Sequence, residues 1–315
     1  MAKFVPDAAE EIEDALAYAK AAKAQNTRRA YAADWNDFAA YLKKRNHSAL
    51  PASPDDVALY LRYLVQRRGL KVSTVRRRLA AIAEAHQSNG FPSPTDEWVV
   101  RNTIRRLRIE HGAPAKGKAP LLIEDLRKLV DIIPETLAGV RDRAILLLGF
   151  ASALRRRELV GLNLHDLALA PEGLVITVNH SKTDQTHQGR KIGIPYGTHE
   201  ATCPVRAVLR WIDASRLSDG PLFRGVTKHG TVQMTQLTDQ VVARIVKRYA
   251  KAIGKYAGRF SAHSLRAGFI TSAAIAGVQE REIQDQSGHH SVTVLRRYIR
   301  DACIFRHNAA AKVGL

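Results

Sequence analysis

His263-Ser264-Leu265-Arg266, Ser287-Gly288-His289 and Arg296-Arg297-Tyr298-Ile299-Arg300 are the three runs on which the fold and chemistry of this chain turn. His263 and Arg266 are three apart, so on a helix they share a face. Gly288 marks a helix end where backbone can approach a site closely, and His289 follows it. Tyr298 comes nine residues after His289, on the next helix. Upstream, Ala153-Leu154-Arg155-Arg156-Arg157-Glu158-Leu159 adds an arginine and, three residues on, a carboxylate. Two guanidiniums, two imidazoles and one phenol form a set able to surround a single phosphodiester.

Tyrosine is a poor nucleophile at neutral pH, because its pKa is about 10. It attacks phosphorus only when a base takes its proton and cations neutralise the phosphate. Of His263 and Arg266, one can handle a proton while the other grips a non-bridging oxygen bidentately. Arg155 can supply a second clamp, and Glu158 is placed to orient a neighbouring Arg or His. The leaving oxygen needs a proton, which a lysine on a flexible hairpin can deliver. Lys182 in His180-Ser181-Lys182-Thr183 is that candidate. Lys191 is a rival, but it falls inside the expected return strand.

The 315 residues include 49 lysines and arginines against 30 acids, a formal net charge of +19; the pI is near 10.2. So basic a chain points to a polyanion, nucleic acid before an anionic membrane or an acidic protein. The length suggests two domains, each able to bury a core. Cys203 and Cys303 make neither a metal spacing nor a disulfide framework, which fits a reducing cytosol. The N-terminus turns acidic by Asp7 and Glu10 without an apolar run, and no stretch approaches the roughly 18 apolar residues of a membrane span. A soluble, cytoplasmic, nucleoid-associated protein with no membrane partner is expected. His289-His290 has no carboxylate or cysteine cluster to complete a metal site, so neither metal nor other cofactor is expected.

The first half is helical by pattern. Residues 8–24 are rich in Ala, Glu and Lys. Asn26 or Thr27 is expected to cap a second helix, in which Tyr31, Trp35, Phe38 and Leu42 recur at helical spacing. A third helix spans 55–68 with Val57, Leu61 and Leu64 inward. A fourth is capped by Ser73, with Val75, Leu79 and Ile82 on its apolar side, and Gly90 and Pro92 end it. A fifth covers about 96–109. The Gly- and Pro-rich run 111–120 is the expected linker. Beyond it, helices fit 123–132, 138–153 and 155–163. Strands fit 174–178 and 191–194. Further helices fit 203–215, 238–252, 263–276, 279–286 and 292–299.

On these residues the chain resembles the tyrosine recombinases of the phage-integrase family over nearly its whole length. Ala153-Leu154-Arg155 through Leu159 is similar to the family's first arginine box. His263-Ser264-Leu265-Arg266 resembles its His-x-x-Arg box, and Ser287-Gly288-His289 its Gly-His motif. Tyr298 takes the nucleophile position, and Lys182 matches the β-hairpin lysine. Pro51-Ala52-Ser53-Pro54-Asp55-Asp56-Val57, Leu61-Arg62-Tyr63-Leu64 and Arg68-Gly69-Leu70-Lys71-Val72-Ser73-Thr74-Val75 resemble the core-binding domain of Cre-like members. Those members carry tryptophan where this chain has His289; histidine is common there in the wider family.

The resemblance implies a mainly α fold with a small β-sheet. A helical, SAM-like core-binding domain (1–110) and linker (111–120) would precede an α+β catalytic domain (121–315) ending in a docking helix, the two domains forming a C-shaped clamp on DNA. It implies a site-specific recombinase in which Tyr298 forms a 3′-phosphotyrosyl bond without metal or ATP. Integration, excision or inversion would then proceed through a Holliday junction. The partners implied are a double-stranded recombination site and three further copies of the chain, in a tetramer on two sites. The tail 302–315, with Ile304, Phe305, Ala309 and Val313 at helical spacing, would dock into a neighbouring protomer.

Arg28, Arg29, Arg76 and Arg77 are candidate DNA contacts, with Arg77 favoured for the major groove by resemblance. Gln240 falls where Cre-like members read a base, and glutamine pairs with adenine. Arg101, Arg105, Arg106 and Arg108 suit phosphates, which position a protein without reading sequence. Arg156 and Arg157 are expected to be structural or phosphate-facing, and His290 a surface residue. A type IB topoisomerase and a DNA-binding regulator with a decayed site are the competing readings. The Cre-like first half and tail argue against the former, the intact constellation against the latter.

Overall fold

The structure is a computed structural model that describes residues 25–113, 117–179, 189–289, 291–302 and 313. Expectations for the helix at 8–24, for Lys182, for His290 and for the tail including Cys303 lie outside those residues, Val313 apart. The chain separates into two compact units, 1–115 and 116–315.

The described part of the first unit contains α1 (Gln25–Lys43), α2 (Pro54–Gln66), α3 (Val72–Gln87) and α4 (Trp98–His111). The start of α2 is dictated locally. Ser53 Oγ accepts from Asp56 N at 3.1 Å, Pro54 supplies a pre-set φ, and Asp55 and Asp56 face the positive end of the helix. Phe38, Leu42, Val57, Leu61, Val75 and Ile82 are wholly buried, so the expected apolar stripes do make the core. Two expected caps are displaced. Gln25 is already helical, which places Asn26 and Thr27 inside α1. Helix α3 begins at Val72, one residue before Ser73, because Val72 is itself buried.

The second unit contains α5 (Ile123–Asp131), α6 (Leu137–Ala151), the short α7 (Arg156–Val160), β1 (Leu167–Ala170), β2 (Gly173–Val178), β3 (Arg190–Pro195) and α8 (Pro204–Ser215). There follow β4 (Arg224–Val226), β5 (Val232–Gln236), α9 (Asp239–Ala252), α10 (His263–Ala276), α11 (Glu280–Ser287) and α12 (Val292–Ala302). Strands β1, β2 and β3 form an antiparallel sheet in that order, with Leu174 opposite Ile194 and Ile176 opposite Ile192. Those four and Val178 are buried on one face, the alternation expected of a half-covered sheet. Strand β1 and the β4–β5 pair escaped the sequence pattern. The first is a four-residue edge of Leu and Ala, and the second joins a three-residue strand to one whose last four residues are exposed, so neither shows a buried alternation.

Two features place the site. Leu121 N donates to Ser264 O and Ala119 N to Arg259 O, which fastens the end of the expected linker onto the second unit. Leu121 passes so close to α10 that a Cβ at Gly268 would lie 1.8 Å from its carbonyl oxygen. Helix α10 also packs on α6 and α12. It is the element on which the arginine box, the Gly-His turn and the tyrosine helix converge.

Candidate active site

Helix α6 ends at Ala151, and Ala153 then takes a left-handed conformation (φ +49) while wholly buried. A non-glycine residue seldom holds that backbone. The turn delivers Arg155 to the N-terminal boundary of α7. Glu158 Oε2 accepts from Arg155 N at 3.0 Å, and Arg155 Nη1 donates to Glu158 Oε1 at 2.6 Å. Glu158 is buried, so the guanidinium is held by a carboxylate with little freedom of its own.

Arg266, on the first turn of α10, is 2% exposed. Its Nη1 donates to Ala153 O at 2.6 Å and to Ser287 O at 2.5 Å. Its Nη2 lies 3.0 Å and 3.1 Å from His289 Nδ1 and Nε2. Helix α11 ends at Gly288, whose left-handed backbone (φ +62) turns the chain so that His289 reaches Arg266. Ser287 Oγ is 2.8 Å from His289 Nδ1 and steadies the ring. Tyr298, half-buried on α12, brings its Oη to 2.7 Å from His263 Nε2.

The cluster is electrostatically positive. Burial pushes Arg266 down to about 10, and the positive charge of Arg155 adds to the effect. Burial, then Arg266, Arg155, His263 and Arg190, drive His289 down to about 3, so its ring is neutral at physiological pH. Loss of water around the His263 ring, then Arg266 and Arg155, also lower its pKa. Burial raises the Tyr298 phenol, with Arg266 and Arg297 pulling the other way. A protonated phenol thus faces a neutral imidazole inside a ring of fixed cations.

The structure brings together Arg155, Glu158, His263, Arg266, His289 and Tyr298. Lys182 lies outside the described residues, and Lys191 is exposed within β3. Sequence reasoning missed Ser287 and Arg190. Arg190 Nη1 donates to Gln286 O at 3.0 Å, and Nη2 is 3.9 Å from Glu158 Oε2. Ser287 entered only as the residue before the Gly-His pair and was given no role, and only the position of Arg190 at the start of a strand beside the lysine hairpin hinted at one.

The candidate DNA contacts lie elsewhere. Arg28, Arg29, Arg76, Arg77, Arg101, Arg105, Arg106, Arg108 and Gln240 are all exposed. Arg77 Nη1 is 2.8 Å from Asp34 Oδ2, a carboxylate 3% exposed, so this guanidinium is braced from behind. Its neighbour Arg78 turns inward to Asp37 and Tyr60. Arg106 pairs with Glu110 along α4. Arg156 and Arg157 both meet Asp239, at 3.0 Å and 3.4 Å. Among the described residues no group of His, Cys, Asp and Glu could hold a metal ion, and no helix is long and apolar enough to cross a membrane.

Residues 121–303 match the phage integrase family, and residues 13–88 match the phage integrase N-terminal SAM-like domain. The chain is 40% identical over 291 residues to the integrase/recombinase xerD homolog of Selenomonas ruminantium, covering 91% of this chain and 85% of that one. It is 29% identical over 285 residues to recombinase cre of Escherichia phage P1, covering 84% and 80%. The fold is similar to that of XerH site-specific recombinase bound to palindromic difH substrate, with a TM-score of 0.60, 17% identity, and coverage of 82% of this chain and 72% of that one. It is also similar to a lambda integrase dimer bound to a COC′ core site, with a TM-score of 0.58, 16% identity, and coverage of 89% and 90%. With a family match over 121–303 and a relative 40% identical over 91% of the chain, the chain belongs to the phage integrase family: it is a tyrosine recombinase, an enzyme of site-specific recombination that cleaves and rejoins DNA strands.

Proposed function

We propose that Tyr298 is the nucleophile and that Arg155, Arg266, His263 and His289 surround the scissile phosphate. The observation that carries this reading is the 2.7 Å contact of Tyr298 Oη with His263 Nε2, beside an Arg266 locked against His289. His263, kept neutral by burial and by its cationic neighbours, accepts the phenolic proton as the Oη–P bond forms. Arg155 and Arg266 offset the charge that builds on the non-bridging oxygens. The P–O5′ bond breaks, and Lys182 gives its proton to the leaving 5′ oxygen. Glu158 acts through Arg155 as a positioning residue. A 5′ hydroxyl of another strand then attacks the 3′-phosphotyrosyl bond and restores Tyr298. Each bond broken is matched by one formed, so the cycle needs neither ATP nor metal.

The first unit serves as the core-binding domain and the second as the catalytic domain. The arginines of α1, α3 and α4 and Gln240 on α9 contact a double-stranded recombination site. The working assembly is a tetramer on two such sites, exchanging strands through a Holliday junction, with the tail 303–315 docked on a neighbouring copy. The enzyme acts in the cytoplasm on nucleoid DNA. The net charge of +19 and the recombinase relatives support the DNA partner.

The test is a suicide substrate nicked beside the cleavage position. Wild-type protein should form a covalent protein–DNA adduct that Tyr298→Phe cannot form while still binding. Binding without an adduct from the wild type would leave only a DNA-binding regulator.

A further inference from the structure

One guanidinium outside the motifs ties three parts of the site together. Arg190 opens β3. Its Nη1 donates to Gln286 O at 3.0 Å and faces Asp285 O at 3.4 Å, at the C-terminal turn of α11 where the helix dipole favours a cation. Its Nη2 is buried and 3.9 Å from Glu158 Oε2, close enough for an ion pair, with no hydrogen-bond acceptor in reach among the described residues. Its face lies on Gly288, where a Cβ would come within 2.7 Å of Arg190 Cζ. The helix end that carries His289 and the carboxylate that holds Arg155 therefore meet on one rigid plane.

We propose that Arg190 is a positioning residue for strand cleavage, a clamp that fixes the His289 turn relative to the Arg155–Glu158 pair. The proposal rests on the recombinase reading of the site. Geometry favours arginine over any other residue here. A planar fork can bond two carbonyls on one edge and face a carboxylate on the other, which a lysine ammonium cannot do at once. Burying a guanidinium is costly unless its charge is answered, and here carbonyl oxygens and Glu158 answer it. Among the described residues, the charged and titratable groups that face His289 are Arg266, Arg155, His263 and Arg190. Removing Arg190 thus also removes one of the cations that keep His289 neutral.

The test measures single-turnover adduct formation on the nicked substrate, with DNA affinity and melting temperature in parallel. The proteins are wild type, Arg190→Met, Arg190→Lys, Glu158→Gln and the double variant Arg190→Met/Glu158→Gln. Arg190→Met should slow cleavage by about ten- to a hundredfold, the scale on which a misplaced catalytic group acts, with affinity unchanged. Arg190→Lys should fall between it and wild type. The double variant should be no slower than the slower single variant, because both substitutions break one connection. Multiplicative losses, or wild-type cleavage by Arg190→Met, would overturn the clamp. Should Arg190→Met fail to fold, Arg190→Lys decides: cleavage at the wild-type rate would overturn it equally. Absence of any adduct from the wild type would instead overturn the recombinase reading, and the clamp with it.

Discussion

His263 Nε2 and Tyr298 Oη lie 2.7 Å apart although 35 residues separate them in the chain. The contact joins the first turn of α10 to the middle of α12, and it sets the protonation chemistry of the site. Burial raises the phenol, so Tyr298 keeps its proton at neutral pH. The same surroundings lower His263, so its ring is free to accept. Cleavage should therefore be level around neutral pH and decline as acid protonates His263, at a pH below the usual histidine value of about 6.5. A single-turnover pH profile measures this, and His263→Gln should lose both the rate and that acid limb. A limb above the ordinary histidine range would show that another group takes the proton.

Arg155 and Arg266 should both be essential for cleavage, yet differ in their effect on the fold. Arg266→Ala removes the donor to Ala153 O and Ser287 O inside the core. Each stranded carbonyl costs on the order of 1–3 kcal/mol. Arg155→Ala removes the ion pair with Glu158 at a more open position. Melting curves should show a large drop for Arg266→Ala and a small one for Arg155→Ala, with DNA affinity largely retained by the latter. Loss of binding in Arg155→Ala would recast it as a DNA anchor.

Gly288→Ala tests the helix end. The residue sits at φ +62, where a Cβ costs roughly 1–2 kcal/mol. The new methyl would also strike Arg190. Adduct formation should fall further than thermal stability does. Crystallography or hydrogen exchange at α11 would show whether the His289 turn has moved.

The first unit should lose stability in acid through Asp37. Burial raises this carboxylate, but hydrogen bonds from Tyr60, Arg68 and Arg78 outweigh it and bring it from 3.8 to about 2. A depressed pKa in the folded state stabilises fully above the unfolded value. That stabilisation fades as pH falls from about 3.8 toward 2, and amounts to roughly 2 kcal/mol at most before solvent screening. Hydrogen exchange of α1 and α2 should rise over that window in the wild type, and already near neutral pH in Asp37→Asn. Equal protection in the two proteins at neutral pH would remove Asp37 from the account.

Affinity for DNA should fall steeply with salt, since a chain of net charge +19 releases many counterions on binding. Arg101→Ala should reduce the slope of log K against log salt by about one without altering sequence preference. Arg77→Ala should instead relax preference at one position, since this exposed guanidinium, with Asp34 Oδ2 2.8 Å away, is the one favoured for the groove. A flat salt response would contradict a broad electrostatic interface.

Local sequence determined a good part of this protein. Helix spacing placed Phe38, Leu61 and Ile82 in one core. Ser53, Pro54 and the two aspartates started a helix by neighbouring hydrogen bonds alone. His263 and Arg266 had to share a face, and Gly288 had to end a helix, because these are properties of backbone periodicity and of a missing Cβ. Tertiary structure decided what distance in the chain hides. Leu121 against Gly268, Arg266 against the carbonyls of Ala153 and Ser287, and Arg190 between Glu158 and Gln286 bring together groups 21 to 147 residues apart. Strand β1 formed for the same reason, since a run of Leu and Ala becomes a strand only when a partner edge supplies its hydrogen bonds. Spacing in a sequence tells which side chains share an element. Which elements meet, and so which cation stands behind which carboxylate, is set by the packing of cores that no short motif encodes.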